Sequence, residues 1–452
     1  MTVVRHSLVA RDLTPILTRL RRANKVVVAA CPGETGDRQP VHTFYGGAHL
    51  FRADSSSRLG TLALAALDAY APDAVTLNAA LALGDAAFAE AIQARVVDKL
   101  RREPVEDIRI DFEDGYGDRP DAEEDTHAAS TADEVARGLQ AGNLPPYIGI
   151  RIKPMSAELH ARSLRTLDIF VTTLARQTRR RLPPHFVVTI PKVMAPAHVD
   201  AVARACSAVE RRTGLSARTV KLEIMIETPQ SILAVDGSSA LRALVAAGDG
   251  RVTGAHFGTY DYTALSGITA AWQHMRHPAC DFARHMMQVA LAQTGVQLSD
   301  GGTNIMPVPV HRGGKGQTLT DSERRENRET VHRAWKIHFD DVTHSLVHGY
   351  YQGWDLHPAQ LPTRYAAVYA FFQSARPAAT ARLRTFIEKA AQATLVGNVF
   401  DDAATGQGLL NFFVRGLNSG ALTLEETAET GLTREELQER SFVNIVERRT
   451  KR

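Results

Sequence analysis

Cysteine is scarce. The 452 residues hold three, Cys31, Cys206 and Cys280, far apart and odd in number. That excludes a disulfide framework and a cysteine-based zinc cluster, and it fits a reducing compartment. Charge of one sign is also missing. Fifty-three basic residues against 50 acidic ones give a net charge of +3, which makes no case for nucleic acid or an anionic membrane as partner. No apolar run approaches the length of a membrane span. The N-terminus, MTVVRHSLVARDLTPILTRLRRANK, lacks a continuous apolar stretch and a small-residue cleavage site. It reads as an amphipathic helix and not as a signal peptide. Asp12 and the lack of serine enrichment argue against a transit peptide. The expected location is the cytoplasm. Internal repeats and low-complexity tracts are absent too.

What is present is a rhythm. A hydrophobic content of 44% suits a chain able to bury a sizeable core. Short β-branched or apolar runs alternate with longer Ala/Leu/Arg-rich segments of helical period. Eight runs qualify as strands: KVVVAAC (25–31), DIRIDFED (107–114), YIGIRIKP (147–154), HFVVTIPKV (185–193), VKLEIMIET (220–228), VTGAHFGTYD (252–261), VQLSDG (296–301) and GYYQGWDLHP (349–358). Eight β–α units predict an α/β fold, a closed (β/α)8 TIM barrel. A doubly wound open sheet is the weaker alternative, because the glycine fingerprint expected after its first strand is missing. The first connection, about 32–106, is too long for one loop and helix and reads as an elaborated first βα loop. The barrel is expected over 1–360. Residues 361–452 are expected to form a C-terminal helical extension serving as a lid or oligomerisation segment.

Active sites of such barrels lie at the C-terminal ends of the strands. Those positions here carry Glu113 and Asp114, Arg151 and Lys153, Lys192, Glu227 with Thr228 and Pro229, Gly258 with Asp261, Asp300, and His357. Several acids on one opening repel unless a cation sits among them. Oxygen ligands without thiolates suit Mg²⁺ or Mn²⁺. Glu227 and Asp261 are the best direct ligands, and Glu113 and Asp114 either ligate or hold metal-bound water. Arg151 suits a carboxylate or a developing oxyanion. In IRIDFEDGYGDRPD (108–121), Arg109 and Asp111 are expected to pair inside the barrel while Glu113 and Asp114 open onto the mouth. Single acids at strand ends are often helix caps, as SDGG and YDYT suggest, and Arg151 with Glu113 also reads as a structural ion pair. Lys153 or Lys192 as a Schiff base is disfavoured by the acid cluster. HRGGKGQT (311–318) fails the phosphate-loop pattern.

The set DFEDGYG, IRIKP, IPKV, EIMIETPQSI, HFGTYDYTALSG and GWDLHPAQL resembles the HpcH/HpaI aldolase and citrate lyase β-subunit superfamily, in family order from about 107 to 361. The long first loop, with VHTFYGGAHLF, departs from its short members. The resemblance implies a (β/α)8 barrel, a divalent metal, usually Mg²⁺, and making or breaking of a carbon–carbon bond in a 2-oxo acid of pyruvate or glyoxylate type. The partner would be an aldehyde, keto acid or acyl-CoA. It implies Glu227 and Asp261 as metal ligands, Arg151 on the keto-acid oxygens, and Glu113 and Asp114 near the metal-bound water. Lys192, Gly258, Thr228 and Pro229, at the strand ends, are expected in the substrate site with Arg151. An acid from a C-terminal segment, Asp401 or Asp402, would close the site, and the assembly would be a homo-oligomer, a trimer or hexamer. The general base stays open between His42, His49, Asp402 and metal-bound hydroxide. Two other readings stand beside this one: Mg²⁺-dependent phosphoryl transfer or hydrolysis on an enolpyruvate-type substrate, and a barrel that binds without catalysis.

Overall fold

In strands that bury both faces, branched residues alternate with whatever lines the barrel interior, and this pattern recurs along the chain. The computed structural model describes residues 7–33, 37–313, 318–388, 394–396, 399–401, 403–439 and 441–450. Eight strands form one sheet: β1 (His42–Gly47), β2 (Asp107–Asp111), β3 (Tyr147–Arg151), β4 (Phe186–Ile190), β5 (Lys221–Ile226), β6 (Val252–Phe257), β7 (Gln297–Ser299) and β8 (Gly353–Asp355). Their order is β7-β6-β5-β4-β3-β2-β1-β8, and each pairing is parallel. The two edges meet just past β7, where Gly302 bridges to Trp354 in parallel and the Trp354 N–H donates to the Gly301 carbonyl at 3.0 Å. The fold is a (β/α)8 barrel.

The helices in chain order are α1 (Ala10–Ala30), α2 (Ser55–Tyr70), α3 (Ala74–Leu81), α4 (Ala86–Arg102), α5 (Asp121–Ala141), α6 (His160–Gln177) and α7 (Pro196–Thr213). They continue with α8 (Pro229–Ile232), α9 (Leu241–Ala247), α10 (Thr259–Leu265), α11 (Pro278–Leu291), α12 (Asp321–Val347) and α13 (Leu361–Glu388). A two-stranded ribbon (Thr394–Val396 and Val399–Asp401) precedes α14 (Ala403–Asn418), α15 (Leu424–Ala428), α16 (Arg434–Glu439) and α17 (Phe442–Thr450). α13 packs on α12 and α4, and α14 packs on α13. Among the described residues no single helix is long and apolar enough to cross a membrane.

Seven of the eight expected strands stand where the alternation put them. The first does not. Residues 25–30 continue α1, and Val26, Val27 and Val28 are exposed. No helix breaker follows Pro15, so the helical run carries on through the branched residues. The first strand is HTFYGG, which the glycine pair had disguised as loop. The elaborated connection is therefore 48–106, holding α2, α3 and α4.

Stability resides between the sheet and its helices. Ile108, Ile110, Ile148, Ile150, Val188, Ile190, Leu222 and Ile224 are buried there, each contributing roughly 1.5–3 kcal/mol. The barrel interior is polar instead. Thr43 donates to Asp107 at 2.8 Å, and Arg109 meets Asp107 at 2.7 Å and Glu223 at 2.9 Å. Gly149 makes room for this, since a Cβ there would lie 2.2 Å from Arg109 Nη1. The expected Arg109–Asp111 pair is thus replaced: Arg109 is held lower in the barrel, and Asp111 has another partner.

Candidate active site

That partner is Arg151, which stands directly across the β2–β3 register from Asp111. Its Nε and Nη2 donate to the two Asp111 oxygens at 2.7 and 2.5 Å. The same carboxylate accepts from the Glu113 N–H at 2.9 Å and the Gly115 N–H at 2.7 Å. One side chain therefore ends the strand, shapes the turn FEDGYG and fixes the arginine. Burial alone would raise the Asp111 pKa, but Arg151 outweighs it and holds Asp111 below the usual carboxylate value. The guanidinium lies over the Tyr45 ring, 4.9 Å from its centroid, with Trp354 at 6.0 Å. Its third nitrogen, Nη1, is 2.9 Å from Glu113 Oε2 and 3.9 Å from Asp114 Oδ2.

Opposite stand the ends of β4, β5 and β6. Glu227 follows β5 and is buried. Its Oε1 accepts from the Lys192 N–H at 2.6 Å. A Cβ on Gly258 would fall 2.4 Å from Glu227 Oε2, so a residue without one is required where β6 passes into α10. Asp261 lies in the first turn of α10. Lys192 adopts φ +48°, and its ammonium contacts Glu113 and lies 3.5 Å from Asp114 and 3.4 Å from Asp261. Burial opposes the Lys192 charge, but Glu113, Glu227 and Asp114 prevail and hold its pKa above the ordinary lysine value. An amine so held is a poor nucleophile. Glu227 moves the other way: burial first, then Asp261 and Glu113, push its carboxyl up to about 8. Burial likewise raises Glu113 against the pull of Arg151 and Lys192.

The mouth thus brings together Glu113, Asp114, Arg151, Lys192, Glu227, Gly258 and Asp261. Other expected site residues lie elsewhere. His42 is fully buried on the outer side of β1; its Nδ1 is 3.0 Å from Asp355 Oδ2, and its Nε2 accepts from the Glu106 N–H at 3.1 Å. It packs against Tyr365 of α13, away from the mouth, because its position in the strand points it at the helices. His49 packs against Tyr116 and His127. The Thr228 hydroxyl donates to the Val193 carbonyl at 2.8 Å and accepts from the Ser231 N–H, capping α8, while Pro229 is the first residue of that helix. Lys153 donates to the Phe112 carbonyl and pairs with Glu124 at 3.1 Å. Asp402 lies outside the described residues.

Sequence reading gave Asp111 the wrong partner and overlooked Tyr45, Trp354 and the apolar wall. A cavity of about 860 Å³ opens beside the acids, lined by Arg151, Asp114, Glu227 and Asp261 on one side. Leu50, Phe51, Leu59, Leu62, Leu356 and Pro358 line the other. Leu59 and Leu62 belong to α2, so the long first connection builds part of the cavity. End-to-end alignment of DIRID with YIGIR would have revealed Asp111 opposite Arg151.

A (β/α)8 barrel with acids and one clamped arginine at its strand ends is the class that fold and site define. More particularly, residues 20–445 match the family described as a domain of unknown function, DUF6986, and the chain belongs to that family. No curated protein matches it. Among solved structures, a citrate lyase from Burkholderia xenovorans is 17% identical, with 89% of this chain and 100% of that one covered and a TM-score of 0.56. The malate synthase of Haloferax volcanii in its magnesium and glyoxylate complex is also 17% identical, with 90% and 97% covered and a TM-score of 0.45. The likeness to the citrate lyase is one of fold.

Proposed function

We propose that this protein is a divalent-metal-dependent carbon–carbon lyase or aldolase acting on a 2-oxo acid, a divergent branch of the HpcH/HpaI aldolase and citrate lyase β-subunit superfamily. One observation carries the reading: beside a clamped arginine, Glu113, Asp114 and Asp261 gather around the Lys192 ammonium while Glu227 accepts from the backbone N–H of the same residue. Burial, with Asp261 and Glu113 adding to it, raises Glu227 to about 8, so a cation beside it would be favourable. The donors are all oxygen, which fits Mg²⁺ or Mn²⁺. Glu227 and Asp261 would hold the ion, with Glu113 and Asp114 beside them. When bound, it supplies Lewis-acid polarisation of the keto oxygen. Lys192, partly exposed on a flexible stem, can withdraw toward solvent.

The chain's own residues do the rest. Asp111 and the faces of Tyr45 and Trp354 fix the Arg151 plane, so its positive charge is already in place for the oxygen that gains charge as the bond breaks. Asp114, largely exposed at the cavity edge, takes the hydroxyl proton as the carbon–carbon bond opens to a carbonyl product and an enolate. The apolar wall is far larger than pyruvate needs. It points to an aldehyde or acyl partner with a bulky apolar chain. Phosphoryl transfer asks for free cations at the mouth, whereas Arg151 and Lys192 are both paired to carboxylates. The citrate lyase shares this barrel, but the site residues carry the proposal.

The test is a screen of 2-oxo acids with aldehydes of increasing chain length, with Mg²⁺ or Mn²⁺, with and without acyl-CoA, read by mass spectrometry. Calorimetry should show Mg²⁺ binding weakened more than about tenfold in Glu227→Gln and Asp261→Asn, the scale of losing a metal-site partner. Unchanged Mg²⁺ affinity in both variants sinks the metal assignment.

A further inference from the structure

Away from the mouth, two helices that flank β7 in sequence face each other with metal-ligand spacing. Asp281 and His285 sit four apart on α11, and His344 and His348 four apart at the end of α12. On a helix that spacing stacks two side chains on one face. One ligand atom each from Asp281, His344 and His348 lies within 4.8 Å of the other two. His344 Nε2 is 2.9 Å from Asp281 Oδ1. The His344 and His348 ring centroids are 4.1 Å apart, and the His285 ring is 5.7 Å from that of His348.

We propose that Asp281, His344 and His348 form a second metal site, one for Zn²⁺ or a similar imidazole-seeking transition ion, that ties α11 to α12. Two imidazoles and a carboxylate suit Zn²⁺ and disfavour Mg²⁺, which prefers oxygen ligands. The support behind the ligands is in place. Arg284, fully buried, donates to Asp281 at 2.8 Å and to Asp300 at 2.9 Å, so the carboxylate is oriented from the barrel side. His348 Nδ1 is 2.8 Å from the His344 carbonyl, which makes it the N–H donor there and leaves Nε2 as the ligand nitrogen. All three residues are partly exposed, so an ion has a path in, and water or the exposed His285 completes four-coordination. The Arg284–Asp300 contact reaches the Asp300-Gly301 segment, where Asp300 accepts from the Gly301 N–H at 2.8 Å and the sheet closes on Trp354. Metal here would brace the seam at which the end of β7 meets β8.

The experiment is a Zn²⁺ titration of the full chain by calorimetry in excess Mg²⁺, which occupies oxygen-only sites, repeated with Co²⁺ and read by visible absorption. The expected result is one Zn²⁺ per chain that excess Mg²⁺ does not displace, and a Co²⁺ spectrum of a low-coordinate nitrogen-containing site. His344→Ala and His348→Ala should each weaken it more than about tenfold. His348 sits at a helix end, so His348→Gln is the variant to rely on if His344→Ala fails to fold. Zn²⁺ should also raise the melting temperature of the wild type and not of His348→Gln. No Zn²⁺ retained under excess Mg²⁺, or retention unaltered in the histidine variants, overturns the proposal and leaves Asp281–His344 an ion pair. None of these readouts depends on the activity at the barrel mouth.

Discussion

Asp111→Asn removes one negative charge from beneath the mouth. Arg151 and Asp111 side chains are 5% and 1% exposed, so water cannot replace the lost partner. Breaking a buried pair by neutralising one member costs about 3–5 kcal/mol. Arg151 keeps Glu113 at 2.9 Å, which places the loss near the lower end. The amide retains one acceptor oxygen for the turn, so one of the Glu113 and Gly115 N–H groups is left short, adding about 1 kcal/mol. Denaturant unfolding of Asp111→Asn should therefore show a loss of about 3–4 kcal/mol. A double-mutant cycle with Arg151→Met should return a coupling of about 2 kcal/mol, and a cycle with Arg109→Met less than half of that. If Asp111→Asn costs below about 1 kcal/mol, or Arg109 couples to Asp111 more strongly than Arg151 does, the pairing across β2 and β3 is not what fixes the arginine.

Gly258→Ala drives a methyl to 2.4 Å from Glu227 Oε2, so Mg²⁺ binding should fall with a stability loss of about 1–3 kcal/mol, read by calorimetry and thermal unfolding. His42→Ala leaves the Glu106 N–H and Asp355 without their neighbour in a fully buried layer. It should cost about 2–4 kcal/mol of stability, while the KM of the folded fraction stays at the wild-type value. Burial alone would raise the Glu103 pKa, but Arg38 and Lys99 bring it down to about 2. A carboxyl depressed in the folded state adds stability that is complete above its unfolded pKa and lost as pH falls toward 2. Discounted for its partial exposure, the term is about 1–2 kcal/mol, and Glu103→Gln should flatten the stability profile between roughly pH 4.5 and 2, the unfolded and folded pKa values.

Strand alternation is readable where a strand is buried on both faces, which is why seven strands and the acids that end them were legible. β1 was not, for a physical reason. Val26–Val28 have the composition of a strand, but pairing is a property of two segments, and no neighbour claims them. HTFYGG has the weaker composition and two claimants, β2 and β8. The same distinction separates what was right and wrong about the charges. Residues two apart on one strand share a face, so Arg109 beside Asp111 looks like a pair. Register decides instead: Asp111 lies across from Arg151, and Arg109 across from Gly149, whose missing side chain leaves the guanidinium space to reach Asp107 and Glu223. His42 failed as a base on parity, since alternate positions of β1 face the helices. The apolar wall was illegible because α2 meets the mouth only through tertiary packing. A barrel interior carrying Asp107, Arg109, Asp111, Arg151, Glu223 and Glu227 adds little stability for its volume, and the branched residues outside the sheet compensate. Charges lower in the barrel are paired, Arg109 with Asp107 and Glu223. At the mouth the acids outnumber their cations, and burial together with Asp261 and Glu113 raises the Glu227 carboxyl. The larger acid excess, at the strand ends, is unfavourable for folding and becomes favourable when a cation arrives, which is the physical argument for chemistry at that end of the barrel.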